Sequence, residues 1–257
     1  MEIFGIPVYL NFLSVITLIP GLLGLVGAVS ISLIRDKSVN TRMFLLMCLG
    51  AGLFQSAYTF CFSVLEPVGA THRIITIATV FTLLYAYLGF MMTYSEVIYP
   101  GGAKFCAYLF LVSGIFLAIY FAFQSLGAPR VFRISGNFWD FELPKISSGI
   151  SNLISAFSFL IIYFSIRKFQ TMRNRRNART FLYILIAFSC YNIPSGILNL
   201  LWRNGKISPE LHLWTMPISL TLAFFFVFVI FLSHTNERST VISNLLGITL
   251  VSTLVLM

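Results

Sequence analysis

Charge is scarce in this chain. Asp, Glu, Lys and Arg make up 10% of its 257 residues, while 58% are hydrophobic and the mean hydropathy is +0.91. A soluble domain of this length could not solvate such a surface, so the composition points to a bilayer as the solvent. Acidic residues are the scarcer charges, eight against seventeen Lys and Arg. That excess does not indicate nucleic acid, because the basic residues fall in short separate stretches rather than along one face of a folded domain.

Other absences exclude chemistry. The three histidines, His72, His212 and His234, fall at the ends of hydrophobic runs or between them. There is no HExxH and no carboxylate pair for a metal. The Ser148-Gly149 and Ser195-Gly196 pairs have no His inside the runs to act as base. The seventh run contains no Lys, so retinal has no attachment point. No Asp lies inside a run and Glu96 is marginal, so proton-coupled transport lacks its usual buried ionisable group. Cys48, Cys61, Cys106 and Cys190 all lie within hydrophobic runs, without metal spacing, and read as small apolar packing residues. The expectation is a non-enzyme with no cofactor and no metal. MEIFGIP lacks the positive n-region of a signal peptide, so the first run is expected to stay in the mature protein.

What is abundant is long apolar sequence. A membrane helix needs roughly 20 such residues. The runs are about Val8–Ile34, Met43–Leu65, Ile74–Val97, Lys104–Leu126, Ile146–Ile166, Phe181–Trp202 and Leu213–Ser233. An eighth, Val241–Met257, is slightly short. The expected fold is an all-α membrane protein: a seven-transmembrane helix bundle over 1–233, then a polar link and a marginal eighth helix over 234–257.

The stretch Arg167–Arg179, RKFQTMRNRRNAR, orders these runs. It carries Arg167, Lys168, Arg173, Arg175, Arg176 and Arg179 between two apolar segments, and reads as a basic loop anchored on the cytoplasmic face. With this loop inside, alternate loops hold eleven Lys and Arg on that side and six on the other. The expectation is a multi-pass protein of the plasma (inner) membrane with its N-terminus outside.

Polar residues in the runs are mostly uncharged and recur at helical spacing. Gln55, Thr59 and Ser63 are four apart; Thr76, Thr79 and Thr82 are three apart. Ser148, Ser151, Asn152, Ser155 and Ser158 follow one side of the fifth run, and Asn192, Ser195, Gly196 and Asn199 one side of the sixth. Such faces turn away from lipid, as glue between helices or as the lining of a pocket. The candidate ligand-binding residues are Gln55, Thr79, Asn152, Asn192 and Asn199, for a small-molecule or lipid ligand. Pro194 and Pro217 can kink the sixth and seventh helices. Gly24 and Ala28, four apart, allow close helix approach. Between the fourth and fifth runs, Val131–Ile134 and Phe138–Leu143 flank Ser135-Gly136-Asn137, a β-hairpin pattern suited to a lid or to a loop lying in the headgroups.

Seven runs with an outside N-terminus invite comparison with G-protein-coupled receptors, but TYSEVIYP carries no DRY-like triplet and the seventh run no NPxxY-like ending. The segment FLSHTNERSTVISNLLGITLVSTLVLM, a polar link with Glu237-Arg238 after a seven-span unit, resembles the sensor region of bacterial 7TM histidine kinase-like signalling proteins. The resemblance implies a membrane-embedded sensory or receptor-like module of a signal-transduction system. It lacks an output domain here, as a truncated product or isolated sensor segment would. Such a module would report to a cytoplasmic or membrane signalling partner, with the lipid bilayer as its constant neighbour. The alternative from the same polar interior is a transporter of a small neutral solute, although no repeat relates the two halves.

Overall fold

The computed structural model describes residues 2–3, 6–133 and 137–234. The eighth hydrophobic run, and all but His234 of the 234–257 segment, lie outside the described residues. Two short strands, β1 (Glu2–Ile3) and β2 (Ile6–Pro7), precede the helices α1 (Phe12–Ser32), α2 (Val39–Ser63) and α3 (His72–Thr93). A 3-10 turn, Pro67–Thr71, leads into α3. Then come α4 (Ala103–Ser125), a hairpin of β3 (Arg130–Arg133) and β4 (Phe138–Phe141), and α5 (Pro144–Thr171), α6 (Arg175–Arg203) and α7 (Pro209–His234). Among the described residues, six helical segments, those containing α1 to α6, are long and apolar enough to cross a membrane. The chain is an all-α bundle of multi-pass membrane character.

Local chemistry sets the helix starts. The Asn11 side chain accepts from the Ser14 amide at 2.9 Å while Ser14 Oγ accepts from the Asn11 amide at 2.8 Å, a reciprocal cap that opens α1. Ser38 and Asn174 cap α2 and α6 in the simpler way. Asn11 also donates to the Phe62 carbonyl at 2.7 Å, which ties the start of α1 to the end of α2.

Each helix packs on the next, α7 returns to α1, and α3 also touches α5 from within. The α1–α2 seam is nearly backbone on backbone: a Cβ built on Gly24 would lie 2.6 Å from the Gly52 amide nitrogen. Small residues permit that approach, as the Gly24 and Ala28 spacing implied. Elsewhere aromatics fill the interior. Phe110 stacks on Phe157 with centroids 4.2 Å apart, and Phe81 meets Phe157 edge-on. On α4, Phe105, Tyr108, Val112, Phe116 and Phe123 are exposed, as a face turned to lipid requires. The helix assignment runs through Pro20, Pro194 and Pro217 without a break.

The basic stretch is not a loop. α5 continues to Thr171 and α6 begins at Arg175, which leaves 172–174 as the connection. Arg, Lys, Ala and Gln are good helix formers, so the helices extend beyond the apolar sequence that defined the runs.

Candidate binding site

The hairpin closes one end of the bundle. β3 and β4 pair antiparallel, with Val131 opposite Asp140 and Phe132 opposite Trp139. Alternation along β4 places Phe138 and Asp140 on one face, and both are buried. Phe138 sits edge-on to Phe62 and to the His72 ring. Trp139 Nε1 donates to the Leu65 carbonyl at 2.8 Å, fixing the hairpin to the segment after α2.

Asp140 is the centre of this closure. Its Oδ1 and Oδ2 accept from Arg73 Nε and Nη2 at 2.9 and 2.8 Å, a bidentate pair. Arg203 Nη1 approaches Oδ2 at 3.4 Å. The three side chains are 10%, 11% and 2% exposed for Arg73, Arg203 and Asp140. The Arg203 guanidinium lies over the Trp202 ring, 3.7 Å from its centroid. Two guanidiniums thus share one carboxylate, and one positive charge remains. Arg203 Nη2 is buried without a hydrogen-bond partner among the described residues.

Beneath this cluster lies a cavity of about 110 Å³ lined by residues of α2, α3, α5, α6 and α7 and by Phe121 of α4. Its polar wall includes Arg73, Ser151, Ser195, Asn199, Arg203 and His212, and Ile77, Val80, Leu84, Ile154 and Phe188 contribute apolar surface. Asn199 Nδ2 donates to Ser151 Oγ at 2.9 Å, a direct α5–α6 link. Ser195, Asn199 and Arg203 are spaced by one helical turn each, so α6 offers the cavity a continuous polar edge. A guanidinium fork over hydroxyls and an amide is suited to recognising a planar anion.

The candidate residues read from spacing separate here. Asn199 lines the cavity. Gln55 does not: it is fully buried at the α1–α2 seam near Gly21, and its amide atoms have no partner among the described residues. Thr79 is buried, but its hydroxyl donates to the Ile75 carbonyl of its own helix at 2.8 Å and it does not reach the cavity. Asn152 is exposed. Successive helical residues point about 100° apart, so with Ser151 facing in, Asn152 faces out. The Asn192 side chain lies outside what is described.

A second buried cation sits at the opposite, basic end. Arg167, Arg173, Arg175, Arg176 and Arg179 are exposed, but Lys168 is fully buried. Its Nζ donates to the carbonyls of Met91, Tyr94 and Glu96 at 2.8, 3.0 and 2.7 Å, and lies 5.0 Å from the Phe181 ring centroid. The end of α3 leaves carbonyls without helical partners and carries negative dipole, and a cation satisfies both. Lys168 is therefore a tie between α3 and α5, not part of the surface anchor. The Glu96 carboxylate meets Asn177 Nδ2 at 3.5 Å.

The expectation that the interior holds no ionisable group is overturned by Arg73, Asp140, Lys168, His72 and His212, all buried. Spacing missed Asp140 because a loop, not a span, carries it inward. The available signal was its position two residues after Phe138 in an aromatic strand. Compared with known proteins, the chain matches no family model and no curated sequence.

Proposed function

We propose that the chain is a membrane-embedded sensory module of a bacterial signal-transduction system. It is threaded seven times through the plasma membrane, with α7 as the seventh crossing. The N-terminus and the hairpin end face outward, and the exposed arginines near 172–174 face the cytoplasm. The charge asymmetry between alternate connections supports these sides.

The observation that carries the reading is the Asp140 cluster above the cavity. One carboxylate joins the hairpin to α3 and α6 at once. A ligand in the cavity changes the balance between those contacts, and α6 carries the change inward as one helix of 29 residues. At 1.5 Å per residue that helix is about 43 Å long, enough to reach from one face of the membrane to the other. Arg175, Arg176 and Arg179 at its far end are exposed and available to a signalling partner. Such a switch requires differential affinity for two bundle arrangements.

The test is a fusion of the bundle to a histidine kinase output domain with a transcriptional reporter. Asp140→Asn, which weakens the hairpin's hold on α3 and α6, is expected to shift basal output several-fold at unchanged membrane level. A thiol label on Arg173→Cys is expected to react only from the cytoplasmic side. Unchanged output, or labelling from outside intact cells, removes the reading. The neutral Ser151–Asn199 wall also suits a carrier of small neutral solutes; uptake into proteoliposomes would favour that reading instead.

A further inference from the structure

The cavity's arginine end is unevenly paired, and that imbalance specifies a ligand. Arg73 is paired with Asp140 through two short bonds. Arg203 is not: its single approach to Asp140 is 3.4 Å, and its Nη2 has no partner among the described residues despite being buried. Tyr58 and His212 also line the cavity and bring no carboxylate. A positive charge left unmatched away from water is costly, and a bound anion relieves it.

We propose that the cavity is a monocarboxylate site. The ligand's carboxylate meets Arg203, with Asn199 and Ser151 beside it, and its short apolar tail points down among Val80, Leu84 and Ile154. This rests on the sensory reading of the same cavity and names its ligand class.

Three features select a carboxylate among anions. The same cluster already binds one, Asp140, in the bidentate geometry of a guanidinium fork. Arg203 is stacked on Trp202, so its plane is fixed before the ligand arrives. The net charge left over is one, which matches a monoanion better than a phosphate dianion. Size selects too. At about 110 Å³ the space holds several waters or a short chain. Polar groups gather at the Arg203 end, which orients the tail away from it. The charge partly shared with Asp140 also gives the ligand a mechanical consequence. A carboxylate that takes Arg203 fully draws α6 away from the hairpin while Arg73 still holds it.

The purified protein in lipid nanodiscs is titrated calorimetrically with hexanoate and, separately, with its neutral isostere hexanamide. Saturable binding of hexanoate, with hexanamide weaker by on the order of tenfold or more, is expected from the loss of charge-assisted hydrogen bonds. This comparison uses the unaltered protein and needs no variant to fold. Arg203→Gln, checked for folding by its melting curve, is expected to remove the preference for hexanoate. Arg203→Lys is expected to keep the preference at lower affinity, because the charge remains and the fork is lost. Equal affinity for the two probes, or no saturable hexanoate binding, overturns the proposal.

A series from butyrate through octanoate to oleate identifies the source. Affinity still rising at oleate assigns the site to fatty acid from the bilayer; a maximum near hexanoate assigns it to a water-soluble acid. Either supports the carboxylate class. Failure of hexanoate to bind, while Asp140→Asn still shifts reporter output, would discard the ligand class and leave the sensory reading. Saturable, Arg203-dependent binding with a reporter that never responds would keep the site and discard the sensory reading.

Discussion

Replacing Asp140 by Leu tests whether the buried carboxylate holds the hairpin end together. The wild-type group receives bonds of 2.9 and 2.8 Å from Arg73 and a longer approach of 3.4 Å from Arg203, with its side chain 2% exposed. The 3.4 Å contact is longer than the usual N–H···O range and is the weaker of the two holds on the carboxylate. The loss therefore comes mainly from stranding Arg73, whose side chain is 10% exposed. Removing one partner of a buried ion pair costs about 3–5 kcal/mol, because the other charge is left unpaired. Adding Arg73→Met to Asp140→Leu removes the stranded charge, so the double variant is expected to recover about 2 kcal/mol. The assay is reversible unfolding of the detergent-solubilised protein across the two singles and the double. If Asp140→Leu loses less than about 1 kcal/mol, or if the two substitutions simply add, the pair does not fasten the hairpin.

Further outcomes are expected at three other places in the bundle. Lys168→Met should lower stability by about 3 kcal/mol, seen as a reduced melting temperature, because the carbonyls of Met91, Tyr94 and Glu96 at and just beyond the end of α3 lose the ammonium that joins them. Lys168→Arg should recover only part of it, since a planar guanidinium does not fit a site built for a point charge. Gly24→Val should lower the melting temperature through overpacking of about 1–3 kcal/mol or more, since its Cβ meets the Gly52 backbone. Gly149→Ala should be neutral or gain up to about 1 kcal/mol, since nothing lies within 4 Å of its added Cβ and alanine suits a helix interior better.

Much of the fold was legible because hydropathy and capping are local. The seven apolar runs each became a helix, and Gly24 with Ala28 marked the closest seam. The Ser135-Gly136-Asn137 turn signal lay between two strands that do pair. Helix ends were less legible, because hydropathy falls before the helix stops where Arg and Lys continue it, as at Thr171 and Arg175. Of the candidate residues whose side chains are described, Asn199 alone lines the cavity, beside Ser151 and Ser195 of the same polar faces. Spacing shows that Ser151 and Asn152 share a stretch of helix, but not which of them faces the cavity. A threonine such as Thr79 also satisfies its hydroxyl on its own helix and needs no pocket. The Arg73–Asp140 pair spans 67 residues of sequence, and each partner taken alone reads as a loop charge. Lys168 was hidden by its neighbours, since one buried cation in a run of exposed ones carries no local mark.

The span between Arg73 and Asp140 also bears on how the chain is made. Asp140 follows Arg73 by 67 positions, so at about 5–20 residues per second the guanidinium is made several seconds before its carboxylate. Until then the guanidinium of Arg73 lacks the carboxylate that neutralises it in the finished bundle. The hairpin end is thus a late joint, closed only after the helices it fastens have been made.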